Sequence, residues 1–573
     1  MSAALTPERL EELLGDPGDD TGPYGFAAAV ARDERDAFPT ELCEALVGAG
    51  FHLAYLPPEW GGTFRSFDRS LTLVRCAARR DVNIMPGTMF SIIAATCLQL
   101  HGSPAQRERA AQILRGGGAV AFALTEAEHG SDLLAGEVRL SDGVLDGEKW
   151  MVGLGMRCEA VYVVARTGGR GPAAFSAVLL DLASVEPGQL ERVPAVRTGG
   201  MRGIDLARMR FTGLRVPEDA LVGKAGEGLE AAVKAQQAVR LMSMAGSLGI
   251  ADSAVRLALD FASARRVGRT LVADSPHPRR ELAVASAALL AADAVATGAA
   301  RGVHVLPEVF SVWAPVAKHV VAESCDELIR RCGTVLATRS VLREGERGAG
   351  LFQKLQRDSG VVRVIDSSTL ANLRSYAGQL PTLTAAGSPS DDRALATVFG
   401  LGTDLPAYEP SRLDMFARGS DPVLARLPAV LAEVAGSVAE EDEVTGGLLR
   451  GLATAAEGLG ELTRAAQRPG ADPNALVDAA ERYAWLHAAA VCVHLWHANQ
   501  DRSLYGTKPG STGWLGAVLG YLLARADGVD PRRHGAALLP ALDAVAALRE
   551  SGQLFSALPV TLAPTRQEPH VQG

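Results

Sequence analysis

The chain has no paired cysteines to organise it. Its seven cysteines are scattered over 573 residues, with no CxxC and no His/Cys spacing suited to zinc. That excludes a disulfide framework or a zinc module and predicts reduced thiols in a cytoplasmic protein. Aromatic residues are scarce at 5%, so the core must be mostly Ala, Val and Leu, which favours closely packed helices. A basic stripe is also missing. The formal net charge is −9, and the pairs Arg79-Arg80, Arg265-Arg266, Arg279-Arg280 and Arg330-Arg331 lie scattered among acids. This argues against a nucleic-acid partner. The opening "MSAALTPERLEELLGD" has no basic segment followed by an apolar one, so no signal peptide is expected. The run "ELAVASAALLAADAVATGAA" is Ala-rich with flanking charge. It reads as a buried helix, too weakly hydrophobic for a transmembrane segment.

What is present is a large soluble composition, 47% hydrophobic and 21% charged, too long for a single core. Residues 1–118 read as a helical N-terminal domain. "FPTELCEALVGAG" has apolar residues at helical spacing, and "GSPAQRERAAQILRGGG" is a helix capped by Ser103 and Pro104. Residues 119–225 change character: "AVAFALTE", "EAVYVVART" and "AAFSAVLLDL" are short Val-, Phe- and Tyr-rich runs between turn signals, the pattern of a β-barrel or sandwich. Residues 226–383 return to the helical period. Residues 384–573 comprise a polar linker, "TAAGSPSDDRA", an additional helical domain and a frayed end, "PTRQEPHVQG".

The stretch "FALTEAEHGSD", residues 122–132, ends a strand in a loop of small and hydroxyl residues, where backbone N–H groups can approach an anion or a polar ring. It resembles the "TEP..GSD" signature of the acyl-CoA dehydrogenase family of flavoproteins. "LPPEWGG", "DGEKWMV", "GGMRGIDLARMRFTGLRVPEDALVG" and "RDSGVVRVID" follow the order of that family's other segments, and the resemblance spans about residues 35–383. It implies a fold that is mainly α with a central β-barrel: a helical N-domain, the barrel and a four-helix C-domain, here with a C-terminal helical extension. It also implies FAD, and a reaction in which a carboxylate removes the α-proton of an acyl thioester while the β-hydrogen leaves as hydride to flavin N5. The α-proton is too weakly acidic unless donors polarise the thioester and the base is desolvated.

Carried over position by position, the resemblance implies flavin contacts from Phe122, Leu124, Thr125, Gly130 and Ser131, with Ser131 also near the thioester carrier. Barrel core is the plainer reading of Phe122 and Leu124. Met151, Gly153, Gly333, Thr334 and Ser368 fall at further flavin-side positions. Arg265 falls where the family supplies an arginine to the FAD pyrophosphate across a dimer interface; a solvated helix-end arginine is its alternative. Gln237 and Arg240 fall on the substrate side, and Arg240, set among apolar residues, needs an anionic or carbonyl partner. Asp366 follows Asp358 of the "RD" pair at the spacing of the family's usual base. It is the expected base, with a helix cap as the competing role. At the family's other base position stands Val239.

The pattern also departs from the family. Asp366-Ser367-Ser368 replaces Glu-Gly-Thr, which shortens the base's arm. The aromatic-and-Thr pair beside the flavin becomes Met151 and Gly153, with Trp150 available only if the strand register slips. The segment after Arg265 is one residue short, and a Gly-Gly pair becomes Gly333-Thr334. These departures leave three readings. The leading one is a dehydrogenase of an acyl-CoA or acyl-carrier-protein thioester, as a homodimer or homotetramer passing electrons to an electron-transfer flavoprotein. The second is a flavin oxidase using O2 or an unusual carbon acid. The third is a silent scaffold protein. In the extension, "ERYAWLHAAAVCVHLWHANQ" places His494 and His497 at a spacing that metal sites use. With no third ligand, core or interface is the expectation.

Overall fold

The computed structural model describes residues 4–344, 348–385 and 391–564. Part of the polar linker and nearly all of the C-terminal "PTRQEPHVQG" lie outside the described residues. The helices used below are α1 (Phe67–Ala78), α2 (Ile92–His101), α3 (Gly228–Ala264), α4 (Pro276–Val305), α5 (Phe310–Leu336), α6 (Leu351–Val364), α7 (Thr369–Ala377) and α8 (Ala475–His497).

Small residues set how close these helices lie. A Cβ on Gly249 of α3 would sit 2.9 Å from the Arg75 carbonyl of α1 and 2.8 Å from the Ala78 side chain, so only glycine permits this crossing. The close crossing buries charge, which is paired. Arg75 bonds Asp293 of α4, and Arg79 donates to Asp252 of α3 at 2.8 Å. A buried charge left unpaired would cost several kcal/mol, on the order of 3–5, so this network locks the N-terminal helices to α3 and α4. The Ala-rich α4 is long and apolar enough to cross a membrane, but its apolar stretch is wholly buried in the fold. All seven cysteines are buried and unpaired, as reduced thiols should be.

Between the helical regions, residues 120–222 form one mixed eight-stranded sheet. It comprises β1 (Val120–Ala123), β2 (Arg139–Ser141), β3 (Val144–Gly153), β4 (Ala160–Arg166), β5 (Phe175–Asp181), β6 (Leu190–Pro194), β7 (Leu206–Arg215) and β8 (Leu221–Val222). The order is β6-β7-β3-β2-β4-β5-β8, with β1 added parallel to β4. Alternation along β1 and β4 gives the sheet two apolar faces. Ala121, Ala123, Val161 and Val163 pack in the module's own core. Phe122, Leu124, Tyr162 and Val164 pack toward the helices. The barrel-core reading of Phe122 and Leu124 is thereby corrected: their parity puts them on the outer face.

The C-terminal extension is no appendage, because its apolar residues join the same core as the N-terminal and middle helices. Its last described segment inserts between them: the Phe555 carbonyl accepts from Arg75 at 2.6 Å, and the Ala557 N–H donates to Asp293 at 2.8 Å. The three histidines of α8 are used for packing. His487 bonds Asp421 at 2.7 Å, His494 bonds the Val423 carbonyl at 2.9 Å, and His497 pairs with Glu433 at 3.2 Å. No metal-ligating cluster exists among the described residues.

Candidate active site

Asp366 sits in the bend between α6 and α7 with φ +65°. Aspartate is among the few side chains that tolerate this left-handed conformation, which clusters at functional sites. It does not cap α7. That role belongs to Ser368, whose hydroxyl accepts the Ala371 N–H at 3.3 Å, while Ser367 donates to Asn372 at 2.6 Å. Ser368, expected beside the flavin, thus has its hydroxyl engaged in the cap.

Freed from capping, the Asp366 carboxylate lies within the electrostatic reach of three groups: Lys318 of α5, and Ser243 and Arg240 of α3. Burial pushes its pKa up, against the lowering effect of Lys318, the Ser243 hydroxyl and Arg240. The same burial pushes Lys318 down to about 8 and Arg240 down to about 10. Lys318 is fully buried and donates to the Val362 carbonyl of α6 at 2.6 Å, tying α5 to the helix that carries the base. Arg240 has the anionic neighbour its apolar helix demanded, yet its Nε bonds nothing. One turn earlier, Gln237 is buried and donates to the Asp414 carbonyl at 2.8 Å. Val239 is buried among apolar residues, so α3 carries no second base. Ser243 and Lys318 were not singled out from sequence. Their signals were a serine three residues after Arg240 and a lone lysine in the apolar run "VWAPVAKHVVAE".

The other half of the site is the mouth of β1. The Lys149 ammonium lies beneath the loop, donating to the Leu124 carbonyl at 2.8 Å and to Glu126 at 2.7 Å. Glu126 accepts from Glu137 and Val138 N–H groups, so it clamps both ends of loop 126–137. Gly130 takes φ +49° with open space on its Cβ side. Among the described residues Thr125 and Ser131 find no hydrogen-bond partner for hydroxyl or N–H, and Ser131 is exposed. A ligand with carbonyl and ring-nitrogen acceptors therefore meets free donors here.

A register slip occurs in β3. Pairing with β7 shifts between Lys149 and Val152, and Met151 has φ +56°, a bulge that makes the strand bend. Lys149 and Val152 both face the module's interior, which leaves Trp150 and Met151 between them, half-exposed. Gly153 gives its space to Phe90: a Cβ there would lie 2.0 Å from the Phe90 ring. The missing threonine is therefore replaced by an aromatic ring from the N-terminal helical region.

Two expected positions lie apart from both halves. Arg265 ends α3, exposed and in no ion pair among the described residues, before the short hairpin of Arg266–Val267 and Thr270–Leu271. Gly333 and Thr334 occupy the last turn of α5, where Gly333 packs on Phe352 and Thr334 is exposed.

Comparison with known proteins gives three matches to domains of one family: acyl-CoA dehydrogenase N-terminal domain over residues 26–116, middle domain over 121–214 and C-terminal domain over 226–368. The 3-sulfinopropanoyl-CoA desulfinase of Paraburkholderia xenovorans is 32% identical over 254 residues, 41% of this chain and 63% of that protein. The match thus spans about three-fifths of that relative's length. The butyryl-CoA dehydrogenase structure from Megasphaera elsdenii aligns with TM-score 0.60 and 20% identity, over 66% of this chain and 100% of that one. The Bacillus anthracis acyl-CoA dehydrogenase complexed with FAD aligns with TM-score 0.68 and 16% identity, over 95% of this chain and 94% of that one. The second alignment takes in the C-terminal extension, so the extended architecture is a shared fold.

Proposed function

The chain belongs to the acyl-CoA dehydrogenase family, and from that premise we propose that it dehydrogenates an acyl thioester at Cα–Cβ with Asp366 as the base. The observation that carries this reading is the carboxylate itself: free of capping, desolvated, and facing Arg240 and Lys318. A base whose pKa is lifted toward the working pH accepts a carbon-bound proton more readily. Fixed cations beside it offset the charge that shifts during transfer.

The residues at the mouth of β1 fit FAD, with Thr125 and Ser131 free to donate and Gly130 leaving room for close approach. Bound FAD supplies the hydride acceptor that no side chain provides. Phe122 and Leu124 wall the ring side by facing the helices, with Met151 and Trp150 on the bulge beside them. Arg265, unpaired and projecting, is placed to serve a second copy of the chain, which favours a homodimer. Gly333 and Thr334 are assigned to the adenine end, and Ser368 to the flavin side through its backbone. The thioester carrier, CoA or a carrier protein, passes Ser131.

The chain's shorter base is compensated by its backbone: the left-handed turn at Asp366 re-aims a side chain one C–C bond shorter than glutamate. A misplacement of about 1 Å costs on the order of 10²-fold in rate, so that turn is integral to the proposal. The test is to purify the protein, record flavin absorbance, and add saturated acyl-CoA thioesters without oxygen. Bleaching supports dehydrogenation. Subsequent reoxidation by O2 alone, rather than by an electron-transfer flavoprotein, identifies an oxidase. Bound flavin that no thioester bleaches points to another carbon acid, and absence of flavin points to a scaffold.

A further inference from the structure

Residues 400–420 of the extension run as a strap whose one regular turn is Pro410–Arg412. Its near end is fixed. The buried Arg301 of α4 donates to the carbonyls of Gly400 at 2.8 Å and Thr403 at 2.9 Å. His304 bonds the Pro406 carbonyl at 2.9 Å, and the Tyr408 ring meets Phe67 edge-on at 4.9 Å. Its far end lands on the site. The Asp414 carbonyl accepts from Gln237 of α3 at 2.8 Å. The Ala417 N–H donates at 2.9 Å to Gln379, just past α7, the helix that begins behind Asp366. The strap thus joins the part of α3 one turn before Arg240 to the structure behind the base.

This attachment fixes the Gln237 amide. A backbone carbonyl only accepts, so the amide nitrogen faces Asp414 and the oxygen faces away. That oxygen makes no hydrogen bond, although the residue is 1% exposed. Leaving such an acceptor unpaired is unfavourable, and buried orphans in native folds call for a partner. Gln237 lies six residues, about 9 Å along the helix axis, from Ser243. A donor reaching it must sit several bonds beyond the carbon that faces Asp366.

We propose that the strap is the end wall of the acyl site, and that Gln237 Oε1 selects compact acyl groups carrying an O–H or N–H donor beyond the β-carbon. The proposal rests on the dehydrogenase reading and deepens it. The strap is tied at both ends, so the wall limits length, and the orphan acceptor gives the limited space a polar preference. A site that hydrogen-bonds a donor discriminates against the isosteric hydrocarbon because its own polar group is then left unpaired.

The test compares two thioesters of equal heavy-atom count on the FAD-loaded protein: 4-hydroxybutanoyl-CoA and pentanoyl-CoA, with palmitoyl-CoA as the long chain. The expected result is kcat/KM at least about tenfold higher for the hydroxy compound, equivalent to ~1.4 kcal/mol, with no flavin reduction by palmitoyl-CoA. In Gln237→Met the preference falls to near unity, with melting temperature and flavin content recorded to confirm folding. Native protein that treats the two short thioesters alike, or reduces its flavin with palmitoyl-CoA, overturns the proposal and leaves the dehydrogenase reading intact. If no thioester reduces bound flavin, that reading fails. Calorimetric binding of the same pair then decides the strap by itself: about tenfold tighter hydroxy binding supports it, and equal binding overturns it.

Discussion

Ser243 faces Asp366 across the gap between α3 and the α6–α7 bend, and its hydroxyl proton has two acceptors within reach. In the structure it goes to the Arg240 carbonyl at 3.0 Å, and the Asp366 carboxylate is near enough for the hydroxyl to lower its pKa. A charged acceptor makes the stronger bond, so rotation of the hydroxyl toward Asp366 is favoured when that group is ionised. When Asp366 holds a proton, the hydroxyl can turn back to the helix carbonyl. The serine therefore stabilises the ionised base without leaving a polar atom stranded in either state.

Ser243→Ala removes the hydroxyl that lowers the Asp366 pKa and so raises it further. Expected is a few-fold loss in the rate of flavin reduction at neutral pH, with the acid limb of the pH–rate profile moved to higher pH. Stopped-flow reduction across a pH series measures both, and an unmoved limb contradicts the assigned contact.

Lys318→Met removes the strongest attractive charge on Asp366 and should also move the acid limb upward. Stability carries a separate sign. Lys318 is held near 8 in the fold, below its value in the unfolded chain. Between those values the unfolded state binds more protons, so native stability rises with pH in that window. Thermal melts from pH 8 to 10.5 should show a steeper rise in native protein than in Lys318→Met.

Gly153→Thr, which restores the side chain the family pattern carries, should destabilise by about 1–3 kcal/mol, because the Phe90 ring occupies the space. Phe90→Ala should recover part of that loss in the double mutant, a coupling read directly by a denaturation cycle. Additive losses would show that the two residues do not share the space.

Asp421→Ala should loosen the extension from the body of the protein. Its buried carboxylate, held low despite burial chiefly by His487, also accepts from Tyr483 at 3.0 Å and from Trp313 of α5 at 3.2 Å. Stranding these partners should cost on the order of 3–5 kcal/mol, visible as a lowered unfolding midpoint.

Much of this was legible in the chain. Helical spacing, the switch to short β runs at residue 119 and the motif order placed the architecture, because those signals are local. Asp366 was marked as the candidate base by its spacing from Asp358, whereas the bulge at Trp150–Met151 arises from pairing with β7, a strand distant in sequence. Ser243 and Lys318 were hidden because a serine or lysine inside an apolar helix carries no mark of which neighbour it meets. Phe90 filling the Gly153 position, and the strap reaching Gln237, are contacts between residues far apart in sequence, which no local pattern encodes.

The central claim is that Asp366 takes the α-proton, and anaerobic flavin reduction by a saturated acyl thioester in native protein and Asp366→Asn tests it most directly. The asparagine keeps the shape and removes the basicity. The account predicts equal flavin content in both, rapid bleaching in the native protein, and a rate lower by about 10²–10⁴-fold in the variant. Equal bleaching rates in the two proteins would contradict it.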